Sequence, residues 1–235
     1  MKLSIVIAVL NSPEMVRRQC LHFQEMPLSL GVEVVLVDDG STPPLSRSDY
    51  GYPWLRVLRH DVDGDWTQPA ARNFGVRHSF GEYILCTDID HIITRELIST
   101  VLYMQYDVVR FKREVAILDQ CGEFVQTEAV VKEYGYEDRR FKSRGFRIAP
   151  HTNSFAMRRQ LYLDLGGVSE KKVGSGVYPN REEQPLKRAF KRKAAAGDIL
   201  IIPDDERPTI YMVPNGRYCG EKDYNPFGLF HDLKR

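Results

Sequence analysis

The chain has 235 residues, 43% hydrophobic and 28% charged, with 33 Lys+Arg against 32 Asp+Glu. That balance is typical of a globular domain with a sizeable core, and it lacks the global basic excess that a nucleic-acid partner favours. No apolar run approaches the roughly 20 residues that span a bilayer, "MKLSIVIAVLNSPE" reaches Asn11 and Pro13 too soon for a signal peptide, and Cys20, Cys86, Cys121 and Cys219 lack paired spacing, so a reducing cytoplasmic setting is expected.

The run "LSIVIAV" (3–9) has the length and apolar continuity of a buried strand. Ser12 as N-cap, Pro13 at the first helical position and Glu14 in the first turn then start a helix with Met15, Val16, Cys20 and Phe23 on one stripe. Pro27 and Gly31 stop it. A second strand, "VEVVLV" (32–37), ends in "DDGSTPP", whose Gly, Ser and prolines enforce a loop. A third, "LRVLRH" (55–60), precedes a helix signalled by Thr67 and Pro69, with Ala70, Ala71, Phe74 and His78 at helical spacing. A fourth, "YILCT" (83–87), precedes a helix from Thr94 that carries Leu97, Ile98, Val101 and Leu102. Strands alternating with helices imply βαβ crossovers and a largely parallel sheet covered on both faces.

Further on, "DVVRFKREVAILDQCGEFVQT" reads as a hairpin turning near 119–122, and "GYEDRRFKSRGFRIAPHTN" as a long loop. The segment "SFAMRRQLYLDL" (154–165) reads as a strand running into a short helix closed by Gly166 and Gly167. A basic helix is expected from Glu182 to Ala196, with Pro185 tolerated in its first turn. "ILIIP" (199–203) and "TIYMVP" (209–214) read as late strands. Two basic groups stand out, Lys187 to Lys193 and Arg139 to Arg147, as solvated faces or as contacts for an anionic acceptor or a membrane surface.

In such sheets ligands bind outside the carboxyl ends of the strands, where Asp38, Asp39, Asp88 and Asp90 fall. Ionised carboxylates near a core edge repel each other and lose hydration, so they need a cation, a positive partner or water. Oxygen-rich sites suit Mg²⁺ or Mn²⁺, which bridge carboxylates to substrate phosphates.

A first strand ending at Asn11, a second ending "VDDGS", then "AARNFG" and then "DID", in that order, resemble the family 2 glycosyltransferases. The likeness covers about 3–95 well and 152–190 more loosely. It implies an α/β fold of GT-A type, a Rossmann-like nucleotide-diphospho-sugar transferase architecture with a mostly parallel central sheet flanked by helices. One domain over 1–235 is expected, with a nucleotide-binding half (1–95) and an acceptor-binding half (96–235). The implied activity is metal-dependent, inverting transfer of a single sugar from a nucleoside diphosphate sugar, a UDP-sugar by preference, to a hydroxyl of a glycan, lipid-linked or protein acceptor. The Q-x-x-R-W signature of processive synthases is missing, which favours single addition. A degenerate domain that binds a sugar nucleotide or glycan without transfer is the alternative.

By the same resemblance Ala8 and Asn11 border the nucleotide, Asp39 meets the base, and Arg72 and Asn73 lie near the donor phosphates or sugar. Asp88 lies near the ribose and metal, and Asp90 ligates the Mn²⁺ or Mg²⁺. His231, beside Leu229 and Phe230, is either the late additional ligand or tail packing, with His91 its competitor; from the residues alone, His151 is a candidate to face the acceptor, and Trp66 either stacks on a sugar ring or packs in the core or rim. Inversion needs a general base opposite the leaving group, and the acidic pair opening the basic helix offers Glu183, with Glu182 next.

Overall fold

The structure, a computed structural model, describes residues 1–26, 28, 31–62, 67–127, 147–148, 153–173 and 182–213. In chain order the elements are β1 (Leu3–Val9), α1 (Pro13–Gln24), β2 (Val32–Asp38), β3 (Leu55–Arg59), α2 (Gln68–Arg77), β4 (Tyr83–Asp88), β5 (His91–Ile92) and α3 (Arg95–Tyr103). There follow β6 (Val108–Arg110), β7 (Lys112–Val115), β8 (Ile117–Leu118), β9 (Phe124–Val125), β10 (Arg147–Ile148), β11 (Phe155–Arg158), α4 (Arg159–Asp164), α5 (Gln184–Ala195) and β12 (Thr209–Met212).

The main sheet has the order β3-β2-β1-β4-β11-β6. Its first four strands are parallel, and β11 runs antiparallel to both of its neighbours. Every residue of β1 and β2 is buried, as expected of strands flanked on both edges and covered on both faces. Side chains alternate between two cores. Leu3, Ile5, Ile7, Val34 and Leu36 meet Met15, Val16 and Phe23 of α1 and Leu97 and Val101 of α3. Val6, Ala8, Val35 and Val37 meet Ala71 and Val76 of α2, Tyr162 of α4, and Leu186 and Phe190 of α5. Gly75 sets how closely α2 approaches the sheet: a Cβ there would lie 2.6 Å from Val6 Cγ1 and 2.7 Å from Val37 Cγ2.

Helix starts follow the sequence signals. Pro13 opens α1 behind Ser12, although the Ser12 hydroxyl donates back to the Leu10 carbonyl (2.8 Å) rather than capping the helix. The Thr94 hydroxyl caps α3 by accepting the Leu97 N–H at 3.3 Å. After α4 the chain turns through Gly166 (φ +82°) and Gly167 (φ +68°), as expected.

Two expectations change. The hairpin is only β8 with β9, turned by Asp119, whose Oδ1 accepts the Cys121 and Glu123 N–H groups at 2.8 Å. Upstream, β6 joins the main sheet and β7 a second one, ordered β10-β7-β12-β5, to which the expected long loop contributes β10. The segment "ILIIP" forms a single bridge, Val108 with Ile201, because the Leu200 carbonyl takes both the Asp107 (2.8 Å) and Val108 (3.2 Å) N–H groups before Pro203 ends the pairing. No helix among the described residues is long and apolar enough to cross a membrane.

Candidate active site

Strand register brings the candidate residues to one edge. Ala8 is aligned with Val37 on one side and Asp88 on the other, so β2 and β4 deliver their terminal acids on either flank of β1, about 10 Å apart at two strand spacings. The Asp39 N–H donates to the Val9 carbonyl (2.8 Å). Asn11 joins the two loops beyond β1 and β2: its Oδ1 accepts the Thr42 N–H (2.8 Å) and its N–H donates to Ser41 Oγ (2.9 Å). Its φ of +47° is one that asparagine tolerates better than most residues. Ala8 lies buried in the core beneath α2, one residue short of the edge.

The two acids after β2 diverge. Asp38 is fully buried and holds its own loop, accepting the N–H groups of Ser41 and Leu45 (2.9 Å each) and the Arg59 guanidinium (2.6 Å). It therefore does not join a ligand-facing cluster with the other three acids. Asp39 lies on the α2 side, where its Oδ1 sits 3.1 Å from His60 Nδ1. Burial raises its pKa from the ordinary 3.8, and hydrogen bonds from Thr67 and His60 pull against that rise. A carboxyl with a raised folded-state pKa contributes stability that is full below 3.8 and is lost as pH rises through the folded value. Asp39→Asn is thus expected to raise the melting temperature of the ligand-free protein at pH 7 while weakening nucleotide binding, and calorimetry with UDP reads both effects.

Asp88 Oδ1 accepts Gln68 Nε2 (3.0 Å) and Arg72 Nη2 (2.7 Å). Gln68 and Arg72 are four residues apart on α2 and so share a face. Arg72 is fully buried. Burial opposes its charge, and the Asp88 carboxylate foremost among its neighbours outweighs that, raising its pKa. Its Nε and Nη1 have no partner among the described residues.

Asp90 and His91 complete a cluster. Asp90 Oδ1 lies 2.7 Å from His91 Nδ1, and Asp88, Asp90 and His91 each bring a ligand atom within 4.8 Å of the others. The turn that carries them is fixed from two sides. Gln19 on α1 donates to the carbonyls of Ile89 (3.1 Å) and His91 (2.9 Å), and beyond β12 the Val213 N–H donates to the Asp90 carbonyl (2.7 Å). His231, His151 and Trp66 lie outside the described residues.

Asn73 is engaged elsewhere. Its Nδ2 donates to the Val168 carbonyl (2.9 Å) and to Glu170 Oε1 (2.6 Å), while its Oδ1 accepts the Val168 N–H (3.1 Å) and the Tyr162 hydroxyl. A Cβ at Gly167 would come within 2.9 Å of Tyr162 Cε1 and closer still to that same Oδ1. These bonds occupy the amide with the junction between α2 and the segment after α4, where the resemblance set it near the donor. From that segment the Ser169 N–H donates to the Glu182 carbonyl (2.9 Å).

Glu182 has its pKa raised by burial, opposed in part by Arg72 and reinforced by Glu183 and Asp88, which places its carboxylate in the electrostatic field of the Arg72–Asp88 pair. Glu183 is the buried residue preceding α5, its Oε1 accepting Gln184 Nε2 at 2.8 Å. The sequence reading missed Gln68, His60 and Gln19. For Gln68 a signal existed, the four-residue spacing to Arg72 on a helix facing the strand-end acids.

The family model for glycosyl transferase family 2 matches residues 4–165, and the chain belongs to that family. No curated protein matches the chain. Among solved structures, S. aureus TarS 1–349 superposes with a TM-score of 0.55 at 18% identity, over 91% of this chain and 60% of that one. The same TarS fragment in complex with UDP gives 0.52 at 19% over 92% and 61%, and in complex with UDP-GlcNAc 0.51 at 19% over 94% and 61%. This chain therefore spans about three fifths of the TarS fragment's length, and the shared architecture is the GT-A fold.

Proposed function

We propose that the chain is a metal-dependent, inverting glycosyltransferase that moves a single sugar from a nucleoside diphosphate sugar, with a UDP-sugar as donor, to an acceptor hydroxyl. The observation that carries this reading is the convergence of Asp39, the Arg72–Asp88 pair and the Asp88–Asp90–His91 cluster on the carboxyl edge of one sheet. Family membership supports the reaction class, and the TarS complexes with UDP and UDP-GlcNAc support the choice of donor.

Asp88, Asp90 and His91 form a donor set of two carboxylates and an imidazole that suits Mn²⁺ or Mg²⁺. Bound there, the ion supplies positive charge to the diphosphate. Arg72, its charge secured by Asp88 and its buried Nε and Nη1 without a partner among the described residues, adds positive charge beneath the site of the diphosphate. Asp39 accepts a hydrogen bond from the base, and Asn11 holds the loop beside it. The acceptor hydroxyl loses its proton to a carboxylate of the Glu182–Glu183 pair as its oxygen bonds to the anomeric carbon. The bond from that carbon to the diphosphate oxygen breaks on the opposite face, and UDP departs with the electron pair.

The test is donor hydrolysis. With Mn²⁺ the protein is expected to release UDP slowly from one UDP-sugar without acceptor. UDP binding with no turnover of any nucleotide sugar and any acceptor would instead indicate a domain that binds without transfer. The base is assigned by Glu182→Gln and Glu183→Gln measured separately. The variant lacking the base should lose about 10²- to 10⁴-fold in kcat with little change in donor KM, the scale of general-base catalysis, and the other should lose far less.

A further inference from the structure

Strand β5 begins at His91, directly after Asp90, and lies at the edge of the second sheet with β12 as its partner. An edge strand leaves a row of backbone groups without ladder partners, and here side chains of α1 take that place. Gln19 Nε2 donates to the carbonyls of Ile89 (3.1 Å) and His91 (2.9 Å), and His22 Nε2 donates to the Ile93 carbonyl (2.9 Å). Gln19 and His22 lie three residues apart and so share a helix face. The Asp90 carbonyl, between the two that Gln19 holds, is taken from the β12 side by the Val213 N–H (2.7 Å). The peptides on both sides of Asp90 are thus clamped between a helix and a strand.

Packing alone would favour a different residue at position 19. Gln19 is 1% exposed and shares its buried stripe on α1 with Met15, Val16, Cys20 and Phe23, which fill the core. Its Oε1 is buried with no partner among the described residues, and sealing half an amide from water without a hydrogen bond is unfavourable. An apolar side chain of the same length would suit the core better. It would lack the two amide hydrogens that reach both carbonyls. Asp88 is anchored separately, from the opposite face of the sheet, by Gln68 and Arg72 of α2.

We propose that Gln19 is a positioning residue for the divalent ion. By holding the peptides that flank Asp90, it keeps the Asp90 carboxylate and the His91 imidazole in place against Asp88, where the three ligand atoms lie within 4.8 Å of one another. This role rests on the reading of that cluster as the metal site. Mg²⁺ demands near-ideal octahedral geometry, so a turn free to shift would bind it less tightly. Groups that orient metal ligands without touching the metal are typically worth about 10- to 100-fold in affinity.

The probe is Mn²⁺ alone, titrated into the full chain with the free ion counted by its paramagnetic resonance, so that neither donor nor turnover enters. Gln19→Met keeps the length of the side chain and removes the N–H groups, and it is expected to weaken Mn²⁺ binding at least about tenfold. UDP binding in chelator, which draws on Asp39 beyond β2, should change less than about twofold. His22→Leu removes a contact of the same kind to Ile93, three residues beyond Asp90. It should lower the melting temperature and leave Mn²⁺ affinity within about threefold of the parent. Gln19→Asn, the same amide on a stem one methylene shorter, gives the same ranking if the methionine variant fails to fold. Equal Mn²⁺ losses in Gln19→Met and His22→Leu, or a matching loss of UDP binding in chelator, overturn the role, because Gln19 then serves only the fold. Mn²⁺ uptake unchanged in Gln19→Met also overturns it and leaves the metal site standing, whereas a parent that takes up no Mn²⁺ contradicts the metal site itself and this role with it.

Discussion

Asp90→Ala is expected to cut UDP release from a UDP-sugar by about 10³-fold, the scale seen when a group stabilising charge on a leaving oxygen is removed. Asp90 is one of two carboxylates in the cluster with His91, and alanine leaves Asp88, already committed to Gln68 and Arg72, as the remaining acid. The ligand-free protein should not suffer in step. The Asp90 carboxylate repels Asp88 when no cation is present but also meets the buried His91 Nδ1 at 2.7 Å, so the two effects offset and the variant should melt within a few degrees of the parent in chelator. Manganese should then stabilise the parent and leave the variant unmoved, because only a ligand that binds the folded state raises apparent stability. Steady-state UDP release and thermal melts with and without Mn²⁺ check both halves, and a variant that keeps its manganese response would remove Asp90 from the metal's ligands.

Asn73→Ala should have the largest effect on stability. The amide lies buried, and its loss strands the Val168 carbonyl and the Tyr162 O–H, while the Val168 N–H keeps only its 3.3 Å contact with the Tyr162 hydroxyl oxygen. Each unsatisfied buried group costs about 1–3 kcal/mol, and partial rearrangement makes a total of about 3 kcal/mol a reasonable expectation. For a chain of this size that is roughly 6–12 °C in melting temperature. Gly167→Ala should act through the same joint, since its φ of +68° disfavours a side chain and the added Cβ would run into Asn73 Oδ1. Because the Ser169 N–H holds the Glu182 carbonyl, either change should also shift Glu182. Melting curves of both variants check the effect, and an unchanged melting temperature for Asn73→Ala would contradict it.

Much of the nucleotide half is legible in the sequence because its strands are continuous apolar runs and its helices begin at Ser12-Pro13, Thr67 and Thr94. Strand parity also carries information that residue type alone does not. Asp39 continues the face of Val35 and Val37, and Asp88 that of Ile84 and Cys86, all on the α2 side, whereas Asp38 continues the face of Val34 and Leu36. Period two thus separates the acid that meets α2 from the one that braces its loop. Other features are not locally written. Asn73 meets residues about ninety positions away, and nothing in "AARNFG" names those partners. β6 and β7 are separated by Phe111 alone yet enter different sheets, since a strand's partner is fixed by tertiary packing. The apolar run at 199–203 serves packing against the α5 core more than strand pairing, with Ile199 and Ile201 lying on that cluster, and both uses demand the same residues.

The most direct test is calorimetric titration of UDP into the protein with Mn²⁺ and again in chelator, for the parent, Asp39→Asn and Asp90→Ala. The parent should take up UDP with manganese and bind at least about tenfold more weakly without it, the scale of losing one strong electrostatic contact. Asp39→Asn should weaken binding under both conditions, and Asp90→Ala should erase the difference between them. UDP uptake that ignores manganese and both substitutions would contradict an account in which acids at one sheet edge hold the nucleotide and the ion together.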